Sequence, residues 1–204
     1  MENKSINNNG HPYVDLDLPS GTLWATSNVG ADKPSDYGKY FQWGDTNGYT
    51  KEQIGKDKQF ALDFSDYKWG VYPNFTKYAT TGATLDLEDD AAHANMGGSW
   101  HIPTPTQIRE LLDNTTRVWT ILDGVNGSLF TSKKNPSKSI FIPTAGYASG
   151  GSVHYGESIS DIWTSMLGKG GVVYGTFFGL VSGGVFLGGY SDRYYGFSVR
   201  GVIG

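Results

Sequence analysis

Four histidines, His11, His93, His101 and His154, and one acidic group, Asp86, Glu88, Asp89 and Asp90, are the side chains of this 204-residue chain best suited to move a proton or hold a metal. The histidines are scattered without metal-ligand spacing, and neither a G-x-S-x-G nucleophile elbow nor an H-E-x-x-H helix occurs. The chain has no cysteine, which removes thiol catalysis, disulfides and thiolate metal sites. The carboxylates would take Ca²⁺ only together with loop carbonyls, whereas acidic residues at a helix start are expected from the macrodipole alone. No catalytic residue, metal site or cofactor is assigned, and the chain is read as a non-enzyme.

The chemistry the sequence does offer is non-covalent recognition. Between Gly170 and Tyr195 it reads GGVVYGTFFGLVSGGVFLGGYSDRYY, mixing Gly with Phe, Tyr, Val and Leu and containing no Lys, Glu, Gln, Asn, Met or Trp. That order fits neither a helix nor a cleanly half-buried strand, and it predicts a displayed surface rather than a structural element. Tyr supplies contact area and a hydroxyl at low entropic cost, and Gly and Ser supply adaptability, as in antibody paratopes. Some of these residues must still be core: alternation points Phe178, Leu180 and Val185 inward. Trp24, Trp100 and Trp163 are the expected core anchors, while Arg193 and Arg200 either brace loops or take part in recognition.

Such a surface needs a frame. The length suits one domain with a real core, expected over residues 13–204, behind a polar, disordered or linker-like leader over residues 1–12. That leader has no signal-peptide h-region, and no run in the chain is long enough to enter a membrane directly. A net charge of −4 without a Lys/Arg run argues against nucleic acid as a partner. A hairpin is expected from Tyr13–Leu18 into Thr22–Thr26, a short helix over Asp32–Tyr37, and a polar connection over Asp45–Tyr67 pinned down by Tyr67, Trp69, Phe75 and Tyr78. Helices are predicted over Leu87–Met96, ended by Gly97-Gly98, and from Thr104, where Thr104, Pro105 and Gln107 make a capping box, to Asn114. Strands and turns follow from Val118, with Asp123-Gly124 and Asn126-Gly127 as turns and Ser139–Pro143 as a buried strand. Helices in the middle and strands at both ends give the class α+β.

Several blocks carry a resemblance: Leu18-Pro19-Ser20-Gly21-Thr22-Leu23-Trp24-Ala25-Thr26, Tyr40-Phe41-Gln42-Trp43-Gly44, Leu87-Glu88-Asp89-Asp90-Ala91-Ala92, Gly97-Gly98-Ser99-Trp100, Ile102-Pro103-Thr104, Ala145-Gly146-Tyr147 and Gly196-Phe197-Ser198-Val199-Arg200. With these the chain, from about Tyr13 to Val202, resembles paralogous surface domains of gut and rumen anaerobes, similar to the formylglycine-generating-enzyme branch of the C-type lectin fold. The resemblance implies that fold, with two helices, small mixed or antiparallel sheets and long irregular loops. The oxidative chemistry of the enzyme branch is not carried over, because it needs cysteines, and the Glu-Pro-Asn and Trp-Asn-Asp signatures of calcium-dependent sugar-binding lectins are missing.

Some members of the family are variable proteins of diversity-generating retroelements, in which adenine mutagenesis of Asn codons never yields Lys, Glu, Gln, Met or Trp. Every residue of 170–195 falls in the permitted set. The resemblance therefore implies a variable part over about 148–195, whose ligand-binding positions are His154, Tyr155, Ile159, Asp161, Phe177, Gly179, Val181, Gly183, Phe186, Gly189, Tyr190, Ser191, Asp192, Tyr194 and Tyr195. It implies a receptor-binding protein or adhesin on a phage tail or bacterial cell surface, acting alone, as a homo-oligomer or within a tail or surface assembly. The partner would be a protein or glycan on a host or neighbouring cell. The alternative is a non-diversified structural domain of a surface or fimbrial assembly.

Overall fold

The computed structural model describes residues 7–56 and 61–204. In chain order the strands are β1 (Asn7–Asn8), β2 (His11–Asp15), β3 (Leu23–Ala25), β4 (Tyr40–Phe41), β5 (Gly48–Tyr49), β6 (Thr115–Leu122), β7 (Val125–Ser132), β8 (Ser139–Pro143), β9 (Tyr147–Ser149), β10 (Ser152–His154), β11 (Ile159–Leu167), β12 (Tyr174–Val181), β13 (Gly184–Asp192), β14 (Phe197–Ser198) and β15 (Val202–Ile203). The α-helices are α1 (Ala91–Met96) and α2 (Pro105–Asn114). Helices of 6 and 10 residues among four sheets make this a β-rich fold, which corrects the α+β expectation. The regular structure before α1 and after α2 consists mostly of paired strands.

The six-stranded sheet, in the order β13-β12-β11-β14-β4-β5, is the body of the molecule. A four-stranded sheet, β1-β2-β3-β15, ties the two ends of the described chain together, with Val202 opposite Trp24. The meander β6-β7-β8 and the hairpin β9-β10 complete the set. The β6–β7 turn is Asp123-Gly124, both at positive φ (51° and 82°), the geometry a two-residue hairpin requires. Asn126-Gly127 forms no turn. It lies inside β7, where Gly127 is needed because the Phe141 ring occupies the place of its missing Cβ.

Two cores lie on opposite faces of the large sheet. On one, Leu16, Leu18, Trp24, Ile108 and Leu111 pack against Ile162, Phe178 and Leu180, so α2 lies on this side. On the other, Phe41, Trp43, Trp100, Trp163 and Phe197 gather with Ala91, Ala92 and Met96 of α1. The three expected tryptophan anchors are all buried. Thr104 and Gln107 form the expected capping box at the start of α2.

The helix expected from Leu87 divides: Leu87–Asp89 is a 3₁₀ turn, and Asp90 caps α1 by accepting from the N–H groups of Ala92 and His93. Residues Asp32–Tyr37 form no helix. The expected connection over Asp45–Tyr67 contains residues 57–60, which lie outside the described residues. Beside it Tyr67 donates to the Trp43 carbonyl (2.7 Å) and Trp69 to that of Gly44 (2.8 Å), holding the aromatics onto the body. Of the leader expected over 1–12, residues 1–6 lie outside the described residues. In the rest Asn7 and Asn8 pair with Pro12 and His11, and Trp100 donates to the Asn8 carbonyl (3.1 Å).

Candidate functional site

The stretch from Gly170 to Tyr195 is a regular hairpin, β12 and β13, with β13 at the edge of the six-stranded sheet. This corrects the expectation that it is no structural element. The reason it escapes a period-two reading is Gly188, which sits at φ +76 where the register shifts between Phe177 and Phe178. A bulge inserts one residue into one strand and inverts the side-chain phase beyond it.

Register sorts the side chains. Phe178 lies opposite Leu187 and Leu180 opposite Val185, on the α2 side. Phe178 and Leu180 are fully buried as expected, but Val185 is 39% exposed, since at the end of the edge strand no neighbour covers it. The opposite face carries the larger part of the predicted set. Ile159 pairs with Val181, Asp161 with Gly179, Gly179 with Phe186, Phe177 with Gly189, and Ser191 lies opposite Gly175. Phe186 is 57% exposed there. The ring of Phe177 lies over both Gly179 and Gly189, and a Cβ at Gly189 would come within 2.6 Å of it. Glycine at these two positions therefore lets a large ring lie flat on the sheet.

The rim of this face is aromatic. Tyr147 of β9 stacks on Tyr195 (5.6 Å, 19° between planes) and also meets the rings of His154 (5.1 Å) and Tyr155 (6.1 Å). Tyr194 meets Tyr195 edge-on at 5.1 Å. Burial is the main reason that the Tyr147 hydroxyl is pushed above its ordinary range, with Tyr195, Tyr155 and Asp161 adding to it. Tyr147 is missing from the expected set, although its place in the Ala145-Gly146-Tyr147 block, next to the stretch expected to vary, was a usable signal.

The remaining predicted residues fall elsewhere. Tyr190 lies opposite Thr176, on the α2 side, with its ring over Gly168 and Gly170, and is 51% exposed. Gly183 is in the β12–β13 turn. Asp192 and Tyr194 line a cleft of about 300 Å³ with Phe64, Val71, Tyr72 and Phe75. Those four aromatic and apolar residues come from outside residues 148–195, so the composition of that stretch gave no hint of them. Burial, then the charge of Asp192, pushes Tyr194 up to about 12. Two further clefts, of about 380 and 440 Å³, contain none of the predicted positions.

Arg193 and Arg200 both brace. Arg193 is fully buried, lies 3.5 Å over the Phe75 ring, and donates to the carbonyls of Tyr78, Val172 and Lys77, clamping the 61–78 segment to the hairpin. Arg200 donates to Asn28 Oδ1 and to the Ala25 and Phe141 carbonyls, each at 3.0 Å. In the acidic group, Lys77 Nζ reaches Asp86 (2.7 Å), Glu88 (3.0 Å) and Asp89 (2.6 Å), so an ammonium stands where a cation would.

What the β11–β13 face can do is bind. It offers apolar and aromatic area, glycine relief and one carboxylate, and strands β9 to β13 carry no Lys or Arg. Comparisons with protein-family models, curated proteins and solved structures found no match.

Proposed function

We propose that this protein is a non-catalytic ligand-binding protein, a receptor-binding protein or adhesin of a phage tail or bacterial surface, which recognises a protein or glycan through the outer face of β11–β13 and its tyrosine rim. One observation carries the reading. Ile159, Asp161, Phe177, Gly179, Val181, Phe186, Gly189 and Ser191 share the face turned away from α2, while the residues alternating with them, Phe178, Leu180 and Leu187, pack in the core with α2. Eight of the fifteen implied positions thus fall together on one half-open face backed by a core. Phe186 and Tyr155 are both exposed there, and an exposed apolar surface carries interaction where such residues form a contiguous patch.

The reading makes a genomic prediction, checked by sequencing the locus of origin. A non-coding near-copy of the DNA for about Ala145–Arg200 is expected beside a reverse transcriptase gene, differing almost only at adenines. A locus with no such copy rejects diversification. One feature favours the alternative of a domain in a surface or fimbrial assembly: β13 is a nine-residue edge strand whose outer backbone groups are free to pair with another chain. Under that alternative β13 would become protected from hydrogen exchange on assembly.

A further inference from the structure

The cleft at the end of the β12–β13 hairpin is built from rings that contribute little to the core. Tyr72 is 68% exposed, Phe64 61% and Val71 43%, and with Phe75 and Tyr194 they line a space of about 300 Å³. Large apolar side chains left open to water in one contiguous patch mark an interaction site. The patch is also continuous with the tyrosine rim: Phe64 meets Tyr194 at 6.2 Å, Tyr194 meets Tyr195 at 5.1 Å, and Tyr195 stacks on Tyr147 at 5.6 Å.

The walls are in place before any ligand arrives. Gly70 donates to the Tyr67 carbonyl (3.1 Å), Asn74 to that of Val71 (2.7 Å) and Thr76 to that of Trp69 (3.0 Å), so the loop carrying Tyr72 is closed on itself. Beneath it Tyr67 and Trp69 donate to the Trp43 and Gly44 carbonyls, and Arg193 donates to those of Lys77 and Tyr78. A preformed cleft loses little binding free energy to ordering itself.

Charge and polarity narrow the occupant. Asp192 is the one charged residue in the lining, and Tyr194 hydrogen-bonds to it. Arg193, fully buried and outside the lining, lies 3.5 Å from the Phe75 centroid, so its charge stands behind that ring. An anion in the cleft would meet Asp192 and a cation would meet Arg193 through Phe75, which leaves a neutral group. Only Tyr72, Asp192 and Tyr194 bring polar side-chain atoms, so a sugar ring, with a hydroxyl on most of its carbons, would leave most of them unmatched. A flat ring with a single donor meets both limits: it stacks on Phe64 and Tyr72 and donates to the Asp192 carboxylate.

We propose that this cleft is the anchor pocket for a protein partner and takes one tryptophan or tyrosine side chain. Its volume stands at the small end of ligand clefts, which run from about 300 to 1,000 Å³, and so suits one side chain. Tryptophan and tyrosine are enriched among the side chains that anchor protein interfaces. The proposal rests on the reading of the chain as a ligand-binding protein and gives that ligand a class. It also divides the site. Phe64, Val71, Tyr72 and Phe75, from outside residues 148–195, form a platform, whereas Asp192 and Tyr194, from the stretch expected to vary, select the ring that docks on it.

The test titrates the whole chain with N-acetyl-tryptophanamide and N-acetyl-tyrosinamide. The comparison probes are the indole-N-methylated tryptophanamide, which lacks the donor, and two sugars, methyl β-galactoside and N-acetylglucosamine. Methyl NMR shifts of Val71 and Val173 report the cleft, and those of Val185, exposed but outside it, report non-specific contact. The two aromatic probes are expected to shift Val71 and Val173 and not Val185. Methylating the indole should weaken binding about tenfold, the worth of a hydrogen bond to a charged acceptor. Tyr72→Ala should abolish the response with an unchanged melting temperature, since its ring is mostly in water, and Asp192→Leu should remove the difference between tryptophan and its methylated form. A methylated probe that binds the parent equally well, a response to the sugars with none to the aromatic probes, or no selective shift at Val71 and Val173 overturns the anchor pocket. If the near-copy DNA is found all the same, the display reading survives and only the anchor is lost.

Discussion

Replacing Arg200 by alanine is expected to cost the fold about 5 kcal/mol or more, a large share of the 5–15 kcal/mol that holds a typical domain together. The side chain is wholly buried, so its removal leaves a void and strips donors from Asn28 Oδ1, Ala25 O and Phe141 O together. Each buried acceptor left unsatisfied costs about 1–3 kcal/mol. The opposing effect is real. Burial without a carboxylate partner pushes the guanidinium down to about 9, so deleting the charge recovers a desolvation penalty. Three orphaned acceptors and a large cavity outweigh that recovery. Two variants separate the contributions in urea denaturation followed by tryptophan fluorescence. Arg200→Met fills part of the void yet leaves the acceptors bare, so it should lie close to alanine. Arg200→Lys keeps a charge and some donors and should fall between alanine and the parent, because one ammonium cannot reproduce the planar fork.

Trp163→Ala is expected to destabilise by roughly 3–5 kcal/mol, measured by the same denaturation curves. Trp163 is fully buried, stacks on Phe197 with ring centroids 4.1 Å apart, and donates from Nε1 to the Phe41 carbonyl at 2.7 Å. That single ring therefore joins β11, β14 and β4, and it lies on the same side of the sheet as Asp161 and Phe177. Trp163→Phe keeps the stacking and loses the donor, so its loss should be about 1–3 kcal/mol, the cost of a bare buried carbonyl. Phe186→Ala, two strands away on the exposed edge, should cost less than either.

Much of the frame was legible because local chemistry decided it. The Thr104 capping box, the Asp123-Gly124 turn, the Ser139–Pro143 strand and the three buried tryptophans each follow from one residue's backbone or transfer preference. The fold class was not legible. Leu87–Met96 carries a helical signature, yet Asp90 starts α1 only at Ala91, and a six-residue helix does not set the class of a chain otherwise built from paired strands. Within the site, alternation correctly buried Phe178 and Leu180. It failed at Val185, whose burial depends on having a neighbour beyond the edge, and it could not see the phase change at Gly188 that sends Tyr190 to the α2 side. Tertiary partners were likewise invisible: the cleft residues Phe64, Val71 and Tyr72 lie more than 120 residues from Tyr194 in sequence, and nothing local links them.

The proposed function requires that the outer face tolerate variation while the frame behind it stays fixed. The direct measurement is a pair of surface-displayed libraries sorted for protease resistance and then sequenced. One randomises Ile159, Asp161, Val181, Phe186 and Ser191 together; the other randomises Ile162, Trp163, Phe178, Leu180 and Arg200. The first is expected to retain polar and apolar residues at every position among folded clones, while the second collapses to the parent residues or close isosteres. Equal return to the parent residues in both libraries would contradict it, because the outer face would then be holding the fold rather than displaying a surface.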